Sequence, residues 1–589
     1  MGFQVSPGVN VTEIDLTTIV PAVATSLGGI AGYFEWGPGN TPTLIDTPKT
    51  LRQIFGNVTD YNYEEYFTAL NFLSYSRGLY VVRTIGDNDE ATNANSNSKT
   101  GSDGYAPTDE VDITSKSGGF YARYVGSIGD SLAVSIGGNS VTASWPFWSS
   151  FGRTPDSSDN LTQLNGGVDT NDLVHIAVVD EDGKFTGTRG TVLEKFDNVS
   201  LHPKARTNFG TSNYFKNVIN DRSEYVKVGG KLDTYDLDLS SSGLTDFFGV
   251  NGLSAGGVSN TNWDDVYAFS FTGGAAYKTI SLAQGKGHTS GDIINNAADN
   301  QGYEALSDAE KLDISLIMAG GMTATDYVSR LVEICENRKD CIAFFSSPVG
   351  KKGADLTKTD SEKANICINF KAAGIGSSSY AVVDSGYKKQ FDQYNQVYRW
   401  VPMNGDIAGV CARTEFTNDA WVSPGGYNRG ILNNAEALAF NPNRTFRDRI
   451  YPKGINPVIF ERGTGIVLLG DKTALSKPSA FDRINVRRLF IVLQKAISTA
   501  SKFSLFEFND DFTRSRFTSL VTPFLRDVQS RRGIIDFKVV CNEGNNTPEV
   551  IDRNEFVADI YIKPNRSINY IQLNFVATRS GADFNEFGA

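Results

Sequence analysis

Between Asp482 and Phe503 apolar residues return every three or four positions, and this spacing restricts the fold more than any other feature of the chain. Val486, Leu489, Phe490, Leu493, Ala496, Ile497, Ala500 and Phe503 fall on one stripe of an amphipathic helix of about six turns. Such a stripe has to be covered. The next segment supplies a second helix, capped by Asp510 or Asp511, with Phe517, Leu520, Val521, Phe524, Leu525 and Val528 inward. Pro523 predicts a kink in it and Gly533 its end. After Gly533 the period changes from helix to strand. Ile535, Phe537 and Val539 alternate with polar neighbours, and Phe556 to Ile562 and Ile571 to Phe575 predict two further strands for the helix pair to pack on.

The ends of the chain read differently. Arg579 to Ala589, RSGADFNEFGA, carries Phe584 and Phe587 among glycines without helical or strand period. At the other end Phe3, Val5, Val9 and Val11 alternate around Pro7-Gly8, an extended segment that closes no core by itself. Both are predicted to be arms, spanning residues 1–22 and 579–589.

A chain of 589 residues is too long for one hydrophobic core, so several domains are expected. With 40% hydrophobic and 11% aromatic residues the composition is that of ordered globular structure, and a net charge of -12 disfavours a general nucleic-acid binder. The five cysteines are odd in number and lack CxxC spacing, so they read as buried thiols of a protein assembled in the cytoplasm. Leu16 to Phe34 is uncharged, but it contains Pro21, Gly28, Gly29 and Gly32 and follows Glu13 and Asp15 rather than a basic segment. It predicts a turn and a buried strand, with no membrane insertion and no export signal.

A first core part covers residues 23–86, with a helix from Asn62, its cap, to Ser76 and a strand from Leu79 to Ile85. The polar run after Gly86 opens a β-rich insertion, residues 87–240, with strands in Tyr121 to Ile136 and Leu173 to Val179 and Trp145, Phe147 and Trp148 as packing residues. The Gly- and Ser-rich stretch Ser240 to Asn262 closes or interrupts it. Residues 241–480 form the middle and second core part. There Leu312 to Met318, Tyr327 to Cys335 and Cys341 to Phe345 give the β-α-β rhythm of a parallel or mixed sheet, with Tyr380 to Val383 and Ile466 to Leu469 as further strands. Residues 481–578 form the C-terminal domain. The fold class expected is α+β or mixed α/β multidomain: nested insertions on a core, a C-terminal domain of two helices on a small sheet, and extended terminal arms.

No motif commits the chain to catalysis. Gly252 to Gly256 matches GxSxG, with His288 downstream, but a nucleophile elbow needs a strand before it and a helix after it, and neither is signalled. In GIVLLGDKT, Gly465 to Thr473, Asp471 stands where a phosphate-binding loop needs lysine, so this is a buried strand ending in a tight turn. His175, His202 and His288 are not paired at metal-ligand spacing. The reading is therefore no enzyme, no cofactor and no metal. One charge pattern stands out. Between Asp482 and Lys538 eleven basic residues face six acidic ones in an otherwise acidic protein. Arg483, Arg487, Arg488, Arg514, Arg516, Arg531 and Arg532 form a candidate basic patch for an acidic partner, unless they only solvate a helix face.

SPGVNVTEIDLTTIVPAVATSLGGIAGYFEWGP, from Ser6 to Pro38, resembles the opening of contractile tail sheath proteins of long-tailed bacteriophages. Similar blocks follow in order: LRQIFG from Leu51, NYEEYFTALNFLSYSRGLYVVRTI from Asn62, YARYVGSIGDSLAVSI from Tyr121, VLEKFDNVS from Val192, NYFKNVIN from Asn213, YPKGINPVIFERGTGIVLLGDKT from Tyr451 and RINVRRLF from Arg483. The resemblance implies a structural subunit that stacks as hexameric rings around a tail tube and contracts to drive the tube through the bacterial envelope for genome delivery. It also implies arms that add strands to neighbouring C-terminal domains, a basic patch that faces the tube, and baseplate and tail-terminator partners. The subunit would belong to the virion tail. The sheath of a phage-derived particle or injection system is the alternative within the class, and a secreted β-rich hydrolase or adhesin the alternative outside it.

Overall fold

The computed structural model describes residues 25–84, 119–138, 145–155, 158–164, 167, 172–229, 266–270 and 302–569. The described residues fall into two compact units. The larger takes residues from 25 to 420 and Pro424–Arg487, and the smaller takes 488–569 with Trp421–Ser423.

The larger unit is built on a seven-stranded sheet whose order across the sheet is Ile455–Asn456, Ala381–Asp384, Ile342–Ser346, Leu316–Met318, Gly28–Gly32, Leu79–Arg83, Thr43–Ile45. All neighbours pair in parallel except the edge strand Thr43–Ile45, which pairs antiparallel to Leu79–Arg83. Strands covered on both faces need apolar side chains on both, and Ile342–Ser346, IAFFS, is buried at every residue. Thr325–Arg338, which includes the helix expected at Tyr327 to Cys335, precedes that strand and buries Val328, Leu331, Val332, Ile334 and Cys335. Helices Tyr63–Leu73 and Asn404–Thr417 cross closely because Gly405 and Gly409 face Thr68 and Tyr75. A Cβ at Gly405 would lie 2.4 Å from the Thr68 carbonyl oxygen.

Several local expectations need correction. Ile466 to Leu469 does not extend the large sheet. Gly465–Leu468 pairs antiparallel with Val458–Glu461, because the intervening turn, with Gly463 and Gly465 at positive φ, closes a hairpin locally. Asn62 precedes the Tyr63–Leu73 helix without capping it through its side chain. That side chain is committed to the preceding loop, accepting from the Thr59 N–H at 2.7 Å and donating to the Asn57 carbonyl at 3.2 Å.

The β-rich region forms a four-stranded antiparallel sheet in the order Thr191–Ser200, Leu173–Asp180, Leu132–Gly137, Val266–Ser270. Its last strand comes from beyond residue 240, so the sheet continues past the boundary expected at the Gly- and Ser-rich stretch. Trp145 is buried against Ala177 and Val179, with Phe147 and Trp148 packed around it. The junction with the core is made by Arg83, at the end of its strand. Its guanidinium, 1% exposed, donates to the carbonyls of Phe34, Gly37 and Val125 at 2.7–2.8 Å, and burial pulls its pKa down to about 10. Trp36 sits edge-on to Tyr124 and Phe185 at 5.3 and 5.2 Å and joins the same apolar cluster.

Candidate assembly surfaces

The smaller unit is a helical hairpin against a β-ribbon. The striped helix is Ile484–Ser501, with Val486, Leu489, Leu493, Ala496 and Ala500 buried, and Arg488 onward belongs to this unit. It stops two residues short of the stripe's end. Phe503, expected inward, lies in the turn Lys502–Ser504 and is 69% exposed. The second helix is Asp511–Ser530, and the Asp510 carboxylate accepts the Thr513 N–H at 2.8 Å, which holds its pKa below the usual carboxylate range. Phe517, Val521, Leu525 and Val528 are buried, and Leu520 and Phe524 pack against Ala496 and Ala500. The helix runs through Pro523. Ile534–Val540 pairs antiparallel with Asp559–Pro564. The third strand expected at Ile571 to Phe575 lies outside the described residues, as do both arms with Phe3, Val5, Val9, Val11, Phe584 and Phe587, and the GxSxG match with His288.

The structure divides the seven candidate arginines. Arg483 belongs to the larger unit, where it donates to the Asp471 carboxylate at 2.8 Å and the Tyr451 hydroxyl at 2.9 Å. Arg487, also in that unit, is buried between the rings of Tyr380 and Phe481, 4.2 and 4.1 Å from their centroids, and donates to the Ser379 hydroxyl. Desolvation holds its pKa below the usual arginine value. Arg488 is 2% exposed. Arg514 is buried and binds Asp511 and the Asn509 side chain. Arg516, Arg531 and Arg532 are exposed, Arg531 lying over Trp421 at 5.1 Å and 3.6 Å from Asp527. The seven therefore do not share one solvent face. Arginine stems and guanidinium planes pack against aromatic rings, and a count of charges does not register this.

Sequence reasoning also missed the exposed apolar residues that run from the end of the first helix into the first turn of the second. Phe503, Leu505, Phe506, Phe508 and Phe512 all project to solvent, Phe506 with φ +67°. Their density in KFSLFEFNDDF, Lys502 to Phe512, is the signal that was available. Elsewhere, Lys388 and Asp406 form a fully buried ion pair at 2.8 Å in the larger unit, joined by the Tyr75 hydroxyl. Four cysteines are buried and Cys541 is half-buried. A cavity of about 480 Å³ in the β-rich region is lined by Glu194, Asp197, Ser212 and Arg222 among others, and burial raises the Glu194 pKa. Among the described residues no cluster of three or more His, Cys, Asp or Glu could hold a metal ion, and no helix is long and apolar enough to cross a membrane.

Residues 287–474 match the family model of the phage tail sheath protein central domain, and residues 476–578 that of the phage tail sheath C-terminal domain. Over 99% of its length the chain is 33% identical to the tail sheath protein of Vibrio phage KVP40, and it covers 99% of that protein. The chain belongs to the phage tail sheath family. It is a subunit of a contractile tail sheath, a structural component of the virion tail. This sheath protein is also 31% identical to the tail sheath protein of Enterobacteria phage T4, covering 98% of it. Its fold resembles that of the sheath tail protein from Listeria innocua, with a TM-score of 0.50 at 11% identity over 93% of this chain and 97% of that one. All seven candidate arginines lie within the matched C-terminal domain.

Proposed function

We propose that this sheath protein assembles in the host cytoplasm as hexameric rings stacked helically around a tail tube, bounded by a baseplate and a tail terminator, and that it performs no catalysis. The observation that carries this reading is likeness to tail sheath proteins along 99% of the chain. The arms at residues 1–22 and 579–589 are the links. An arm that pairs with the edge of a neighbour's sheet satisfies backbone donors and acceptors without a large side-chain interface. Phe3, Val5, Val9, Val11, Phe584 and Phe587 supply its side-chain contacts. If the arms stay paired while globular units rotate as rigid bodies, one polymer holds an extended and a contracted packing, and the energy of contraction is stored during assembly without nucleotide. The tube-facing role narrows to the exposed Arg516, Arg531 and Arg532.

Removing Arg579 to Ala589 tests the links. The expected product is a folded chain, with the thermal unfolding of the parent, that no longer forms tubes. Normal polymerisation of the truncated chain would sink the arm assignment.

A further inference from the structure

The smaller unit carries opposite charge at its two ends, and both ends expose apolar side chains. Its second helix, 20 residues long, separates these ends by about 30 Å. At the tip, the segment joining the helices presents Phe503, Leu505, Phe506 and Phe508, and Phe512 follows in the first turn of the second helix. The adjacent loops are tied to it: the Asn509 amide donates to the Glu555 carbonyl at 2.9 Å and to Asn546 at 3.2 Å, and Phe556 meets Phe517 edge-on at 5.4 Å. Glu507, Asp510, Asp511, Glu543 and Glu555 are exposed here, against the basic Lys502 and Arg553, while Arg514 is buried beneath Asp511.

The other end is basic. Asn565 fastens the end of the ribbon to the end of the helix, donating to the carbonyls of Arg532 and Gly533. Arg526, Arg531, Arg532, Lys563 and Arg566 are exposed around this point, against Asp527 and Asp536. Ile535 and Ile568 are exposed beside them, Ile568 at 82%. Apolar groups displayed so openly mark a surface that another surface covers.

We infer that the acidic, aromatic tip of this unit docks head-to-tail on the basic end of the same unit in a second copy of the chain. Charge complementarity selects the occupant. Every copy carries both halves of the match, whereas tip on tip or base on base would bring like charges together. The contact is heterologous and need not close, so it propagates along a filament. The inference rests on the sheath reading, adds to the arm links a direct contact between globular units, and moves Arg531 and Arg532 from the tube-facing set to this contact, which leaves Arg516 to face the tube.

The test is sedimentation velocity of the full chain as parent, as Glu507→Lys/Glu543→Lys and as Arg532→Glu/Arg566→Glu, each alone and the two variants mixed. None of the four substituted side chains has a role in the packing described above. The parent is expected to self-associate, more weakly as salt rises. Each variant alone should lose roughly tenfold or more in association constant, and the equimolar mixture should recover the parent's behaviour, because each altered end meets its opposite on the other variant. Should either reversal lower the thermal midpoint, Phe506→Ser/Phe508→Ser takes its place, with the same loss expected. Variants that associate like the parent, a mixture that stays dissociated, or a parent that is monomeric up to its solubility limit would each overturn the contact. A mixture that stays dissociated while tail tube protein binds the parent's tip would assign the tip to the tube instead. Tubes formed equally by parent and variants would remove this contact and leave the arm-linked reading standing. Salt-sensitive association without tubes would do the reverse.

Discussion

Lys388 and Asp406 show how a buried charge is tolerated at a single position. Both side chains are essentially unexposed, and the ammonium also donates to the Asn433 carbonyl at 2.9 Å. Burial raises the Asp406 pKa, and the lysine opposes that shift. Lys388→Met would strand the carboxylate and is expected to cost about 3–5 kcal/mol in denaturant unfolding, whereas Lys388→Met with Asp406→Leu should recover most of it. Among the described residues no cation pairs with Asp384 in this way. Its carboxylate accepts the Ser346 hydroxyl at 2.7 Å and the Gly386 N–H at 2.8 Å, and burial raises its pKa well above 3.8. A folded-state pKa above the unfolded one means the folded chain binds the proton more tightly. Stability from this group is then fully present below about pH 4 and is lost as pH rises through the raised folded pKa. Asp384→Asn should therefore unfold at higher denaturant than the parent at neutral pH, with the difference closing on acidification; a difference that does not change with pH would contradict this. Neither feature was legible in the sequence. Nor was the burial of Arg487, because its partner Tyr380 lies more than a hundred positions away along the chain.

At the scale of elements, periodicity was informative wherever one face alone is buried. The inward set from Phe517 to Val528 and the second half of the stripe, Leu493 to Ala500, were readable because the opposite faces are polar, whereas the first half is buried nearly all round, Ile491 and Val492 off the stripe included. The stripe misplaced Phe503, whose position continues the spacing although the chain has already left the helix. Apolar runs gave strands but not partners: Gly465–Leu468 is a strand, in a local hairpin rather than in the parallel sheet. The crossing of Tyr63–Leu73 with Asn404–Thr417 was equally invisible, since it depends on the absence of two Cβ atoms. Gly405→Ala would drive a methyl against the Thr68 carbonyl, where rigid backbone cannot yield. An expected loss of about 3 kcal/mol would show as a lowered thermal midpoint. An unchanged midpoint would mean that the two helices separate freely.

For the whole molecule, ordered blocks along the chain pointed to the sheath family, and likeness over the full length to tail sheath proteins supports that placement. The candidate tube-facing surface was less legible. The seven arginines all fall within the matched C-terminal domain, but their count did not show which are exposed: Arg483 is held by Asp471, and Arg487, Arg488 and Arg514 are buried. Family membership makes the chain a sheath subunit, and that subunit is expected to contain enough information to polymerise by itself. Negative-stain electron microscopy of the purified, concentrated protein shows whether it does. Hollow tubes with helical striations are the predicted result. Compact monomers across salt and concentration, persisting when tail tube protein is added as a template, would contradict it.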